Sequence, residues 1–230
     1  MKKLIAFVVA LFAAGNLFAL SGDVDFGMIL GGGAGKTERT YYFYTQEADY
    51  KTGIAGIYGN FDLMFTENFG IFNDISFNIP FNSSYKQKAL GITRDLDSFK
   101  ATFFASNLLG VQGGFSINEK FRLLFGGGFD CAIFTWEQEA GFSYDYIEGL
   151  IYNLSAEETL WMFGLGAKAK AQYFFNDKIG INAGFVVDWY FVQDDKLKVD
   201  RILYTWENEE ISYKNFFFFR PELGMTIKLF

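Results

Sequence analysis

The chain of 230 residues is 50% hydrophobic and 20% aromatic, with 30 Phe, 13 Tyr and 25 Gly against 2 Pro, 1 Cys and no His. A soluble globule does not carry Phe in that proportion with so little Pro, and a disordered chain carries almost none. The missing His removes His-based triads, most zinc sites and the usual proton shuttle, while a net charge of −7, from 20 Lys+Arg and 27 Asp+Glu, makes nucleic acid a poor partner.

Residues 1–19 read as an export signal. Lys2 and Lys3 form a basic start, Leu4 to Ala14 an uncharged apolar run, and Ala19 offers a small residue at the cut. That run is too short to cross a bilayer as a helix. The expected division is therefore a signal peptide over 1–19 and a single domain over 20–230. Cys131 is the one cysteine, so no disulfide holds the mature chain.

From there on, the pattern alternates with a period of two, as strands do. Val24, Phe26, Met28 and Leu30 oppose Asp23, Asp25, Gly27 and Gly31; Gly31 to Thr37 looks like a phosphate-binding loop, but Leu30 stands where its first Gly belongs. After a polar stretch from about Gly35 to Thr52, Ala55, Ile57, Phe61, Leu63 and Phe65 oppose Gly56, Tyr58, Asn60 and Asp62. The short turn Thr66-Glu67-Asn68 leads to Ile71, Ile75, Phe77, Ile79 and Phe81, set against Gly70, Asp74, Ser76 and Asn78. A second long stretch, Asn82 to Ser98, precedes Phe103, Ala105, Leu109, Val111 and Phe115, with Ser106, Gly110, Gln112 and Gly114 on the other face.

The turn Ile117 to Lys120 opens the fifth strand, where Phe121, Leu123, Phe125, Phe129, Cys131 and Ile133 oppose Arg122, Gly126, Gly128 and Asp130. The third long stretch, Glu137 to Leu160, is acidic and reads as a solvated face. Trp161 to Tyr173 and Ile179 to Phe191 alternate most cleanly. Lys168, Lys170 and Gln172 stand on the polar face of the first and Asn182 and Asp188 on that of the second, with the turn Asn176-Asp177-Lys178 between them. In the last long stretch, Val192 to Asn215, Leu197 to Trp206 and Ile211 to Phe219 suggest a hairpin turning at Glu207 to Glu210. The eighth strand carries Phe219, Pro221, Leu223, Met225, Ile227 and Leu229 against Arg220, Glu222, Gly224, Thr226 and Lys228.

Eight strands of this length, with three short turns on one side and four long connections on the other, predict an all-β fold. It is an eight-stranded antiparallel up-and-down transmembrane β-barrel with short periplasmic turns and long extracellular loops. Aromatic residues cluster at both strand ends, Phe65, Phe69, Phe115, Phe121, Tyr173 and Phe175 by the turns and Phe81, Phe103, Trp161, Trp189, Phe191 and Phe217 opposite, like the two girdles of a bilayer protein.

In this layout the chain resembles the small eight-stranded outer-membrane barrels, similar to the barrel of outer membrane protein A and to the outer membrane protein X and W families. The resemblance covers the whole mature chain and rests on the arrangement of strands and turns. It implies a bacterial outer-membrane location with loops at the cell surface. The partners it implies are outer-membrane lipid and the barrel assembly machinery, which would read the terminal aromatic Phe230. Here Leu223 to Leu229 alternate against Phe230, and a bulge near Pro221 would reconcile the two.

The polar phase places Asp62, Asp74, Asp130, Asp188 and Glu222 inside with Arg122, Lys168, Lys170, Arg220 and Lys228, an evenly matched set that reads as ion pairs filling the interior. No catalytic, metal or cofactor residues are expected. Two readings of function stay open: a structural and surface-interaction protein working through its loops, or a narrow channel or conduit, for which interior Gly leaves room.

Overall fold

The computed structural model describes residues 21–41, 44–89, 91–95, 99–145, 150–199 and 210–230. Nine strands form one antiparallel sheet: β1 (Ser21–Tyr41), β2 (Tyr44–Met64), β3 (Phe69–Ala89), β4 (Ile92–Asp95), β5 (Lys100–Asn118), β6 (Phe121–Asp145), β7 (Leu150–Phe174), β8 (Ile179–Val199) and β9 (Glu210–Lys228). β4 is a short flap on β3. The other eight pair with their neighbours in order, β9 returns to β1, and the barrel closes. Closure leaves no free edge around the ladder, which is what lets a sheet stand in hydrocarbon.

Alternation decides the two faces. Met28, Ile57, Phe77, Leu109, Phe129 and Leu223 are exposed on the outside, while Asp25, Tyr58, Asp74, Leu108, Asp130 and Glu222 are buried inside. The short turns are held by their own side chains. Asn118 Oδ1 accepts the Lys120 and Phe121 amides at 2.9 Å, and Asn176 Oδ1 accepts those of Lys178 and Ile179 at 2.9 and 2.8 Å.

Strands of 19 to 25 residues are about twice as long as a bilayer needs. The ladders continue into the stretches that read as loops in the sequence. β6 and β7 stay paired from Phe121↔Tyr173 to Asp145↔Leu150, and β1 pairs with β2 as far as Tyr41↔Tyr44. The turn into β4 needs Gly91, whose φ of 79° suits no bulky residue.

Ile211 to Lys214 pair with β1 on one side, and among the described residues the β8–β9 ladder runs from Ile179↔Ile227 to Tyr190↔Phe216. One expectation is corrected. Pro221 carries no bulge, since Phe185↔Pro221 sits in an unbroken register with β8. The β1–β9 irregularity lies higher, between Ala34 and Lys36. The export signal, residues 1–19, and most of the expected hairpin before Ile211, residues 200–209, lie outside the described residues.

Candidate functional site

The buried, charged interior is the candidate site, and it is layered along the barrel axis. At the mouth beside the short turns, Arg122 from β6 donates through Nε and Nη2 to Gln172 Oε1 at 2.9 and 2.6 Å and pairs with Asp23 of β1. Lys228 is half-buried there, its ammonium 4.6 Å from the centre of the Phe174 ring. A cavity of about 640 Å³ opens at this mouth, lined by Arg122, Lys228, Glu67, Glu119 and Phe230 among others. The Phe230 carbonyl accepts the Gly22 amide at 3.4 Å, and its ring lies over Gly22, where an added Cβ would come within 2.8 Å.

The next layer is ionic. Lys170 reaches Asp25 and Asp62, and all three are buried. Asp25 also accepts from Thr226 Oγ1 at 2.6 Å, Asn60 Nδ2 at 3.1 Å and Gln172 Nε2 at 3.2 Å. Lys168 donates to Asn60, stands 3.6 Å from Asp74 and 3.8 Å from Asp62, and lies 4.6 Å from the centre of the Phe72 ring. Tyr58 donates to Asn182, which donates to Thr226 at 3.1 Å.

Above it Arg220 grips Asp188 with two hydrogen bonds, 2.7 and 3.3 Å, and has Asp74 at 3.5 Å and Glu222 at 4.0 Å. A forked guanidinium on a carboxylate is the strongest pairing geometry available to side chains. Tyr190 donates to Asp130 at 2.9 Å and joins this layer to the apolar one above.

That upper layer is aromatic. Phe104 stacks on Phe218 with centroids 4.1 Å apart, and Phe134, Trp136, Phe216 and Tyr50 pack around them. Each is buried.

All ten charged residues expected inside thus lie in one network or at its mouth. The expected balance of five acids and five bases is corrected. Among the described residues eight carboxyls, including Asp23, Asp25 and Glu158, are buried with four bases, Arg122, Lys168, Lys170 and Arg220. Neutral donors meet part of the excess: Thr226, Asn60 and Gln172 donate to Asp25, and Tyr190 to Asp130. Asp23 and Asp25 were legible as the polar phase of the first strand, but Glu158 was not, because it lies in a run that reads as solvated. Nor was the aromatic layer, since Phe104, Phe134, Phe216 and Phe218 occupy inward positions just beyond the clean alternating cores.

The room expected from interior Gly is also absent. Gly110 faces Gly128 across β5 and β6, and a Cβ on Gly128 would fall 2.1 Å from the Leu109 carbonyl oxygen and 2.5 Å from Gly110 Cα. These glycines let backbones and neighbouring side chains close in. Among the described residues no group of three or more His, Cys, Asp or Glu is placed to hold a metal.

No protein-family model and no curated protein matches the chain. Among solved structures it is similar to the outer membrane protein OprG from Pseudomonas aeruginosa, at 16% identity over 91% of this chain and 95% of that one, with a TM-score of 0.56. It is also similar to the outer membrane protease OmpT from Escherichia coli, at 12% identity over 91% and 96% with a TM-score of 0.47. A third is Ail, the attachment invasion locus protein of Yersinia pestis, at 12% identity over 90% and 99% with a TM-score of 0.38. The likeness to OprG is one of fold. With the closed eight-stranded wall and its apolar outer face, it makes this chain a small outer-membrane β-barrel.

Proposed function

We propose that this barrel is a sealed membrane anchor whose work is done by the strand hairpins that project on the side away from the short turns, at the cell surface, toward a protein partner. The observation that carries the reading is closure of the interior. Asp62, Asp74, Asp188 and Arg220 in the ionic layers and Phe104, Leu160 and Tyr190 above them have 0% of their surface open to water. Side chains that no water reaches do not line an aqueous pore, and an eight-stranded wall is just wide enough to be filled this way. What remains accessible is the outside and the two ends. The β6–β7 hairpin is the longest surface offered, paired to its tip at Asp145↔Leu150.

A non-catalytic role is part of the proposal. The chain has no His, and the carboxyls inside the barrel are buried. Export through residues 1–19, recognition of Phe230 by the barrel assembly machinery and surface exposure of the hairpins belong to the same reading.

The test is conductance of the refolded protein in planar bilayers, joined to proteolysis of intact cells. Silence, with cleavage in the β6–β7 hairpin, is the expected result. Steady open currents would overturn the anchor reading in favour of a narrow channel or conduit, and full protection of the hairpin on intact cells would overturn its surface role.

A further inference from the structure

Between the aromatic girdles the outward positions of the described strands hold apolar side chains or glycine, Cys131 apart, with two exceptions: Asn73 on β3 and Asn107 on β5. Asn107 sits opposite Ile75 on one side and Cys131 on the other, well within the lipid-facing belt. The two amides are bonded to each other, Asn73 Nδ2 donating to Asn107 Oδ1 at 2.5 Å. That bond uses one donor and one lone pair. An amide side chain has two donors and a carbonyl, so the Asn107 hydrogens and the Asn73 carbonyl keep hydrogen-bonding capacity that no other described side chain takes up. Lipid tails cannot take it up either, and polar groups facing hydrocarbon are costly unless they find a partner.

The relief around the pair is not flat. Ile75 and Phe77 form a ridge on β3 that borders two outer-wall grooves. One of about 220 Å³ is floored by Ala105, Asn107 and Cys131, and one of about 470 Å³ is floored by Gly59 and Asn73. Each groove therefore carries one Asn of the pair.

We propose that this face is the contact between two copies of the chain in the membrane, related by a twofold axis along the membrane normal. Copies inserted by one route share an orientation, so such an axis brings equal heights together. Running between the ridge and the smaller groove, it seats each Ile75–Phe77 ridge in the partner copy's groove. It also turns the Asn107 donors of each copy toward the Asn73 carbonyl of the other. The surplus is self-complementary: donors remain on Asn107, an acceptor on Asn73. An acyl chain fills the grooves but leaves both amides unmet, and polar side chains join membrane-spanning segments in this way. The exposed Cys131 thiol nearby carries no part of the assignment.

Sedimentation equilibrium of the full barrel in density-matched micelles, with single-molecule photobleaching in liposomes, tests it. The wild type is expected to show a reversible monomer–dimer equilibrium. Asn107→Leu raises the dissociation constant about tenfold, the loss of two symmetry-related polar contacts, one on each side of the axis. Ala105→Phe, which fills the smaller groove, does the same by shape. Ala183→Leu on β8, across the barrel, leaves the equilibrium unchanged. A wild type that stays monomeric in both media, its grooves filled by lipid, would overturn the proposal. So would a dimer that Asn107→Leu and Ala105→Phe leave intact or tighten.

Discussion

Lys170→Met separates a filled interior from a wet one. The side chain has carboxylates of Asp25 and Asp62 on its ammonium, and side-chain exposure is 1% for the Lys and 0% for either acid. Met keeps most of the volume, so packing changes little. Asp25 retains three neutral donors, Thr226, Asn60 and Gln172. Asp62 is left with Lys168 at 3.8 Å, and its stranded charge dominates the loss. Breaking one partner from a buried pair costs about 3–5 kcal/mol, and two acids share this Lys, so the upper end is expected. Lys168→Met should cost less, because that ammonium lies 3.6 and 3.8 Å from its carboxylates and rests partly on Phe72. Asp62→Asn added to Lys170→Met should recover part of the deficit, the signature of direct coupling. Urea titration of folding into lipid vesicles, followed by tryptophan fluorescence, measures all of these. A Lys170→Met loss below about 1 kcal/mol, the range of solvent-exposed pairs, would refute the dry network and mean that water screens the lumen.

Four further outcomes are expected, two from the geometry and two from the sequence. Ala183→Arg faces lipid near mid-belt and should cost about 2–4 kcal/mol in the same titration, while Ala183→Leu costs almost nothing. Phe104→Ala removes one leaf of the Phe104–Phe218 stack and should destabilise by about 3–5 kcal/mol; planar-bilayer recordings should stay silent, because the ionic layers still close the barrel. Amino-terminal sequencing of membrane-extracted protein should begin at Leu20, and a start at Met1 would remove the export proposal. Deleting Phe230 should lower the amount assembled in the outer membrane in cells, read by fractionation, more than it lowers stability after refolding in vitro.

Much of the architecture was legible because a strand's two faces are a local property. Ile179 to Phe191 and Trp161 to Tyr173 declare their inner and outer sides residue by residue, and the Asn-headed turns at Asn118 and Asn176 mark where the chain reverses. The ends of strands were not legible. Beyond Ala34 or Thr135 the outward positions turn polar, and loop and projecting strand look alike until a neighbouring strand supplies hydrogen bonds.

Composition and period two thus determined a closed β wall, its lipid side and the inward set of charges, since each depends only on what a residue's nearest neighbours in the chain are. Tertiary structure alone decided which charges meet. Lys170 finds Asp62 across 108 residues and Asp25 across 145, and Thr226 finds Asp25 across 201. Those partners are set by how the strands stagger on closing, which no local pattern encodes. The same closure decided the layering, because the height of Phe104 against Phe218, or of Asp130 against Tyr190, exists only once eight strands share one axis.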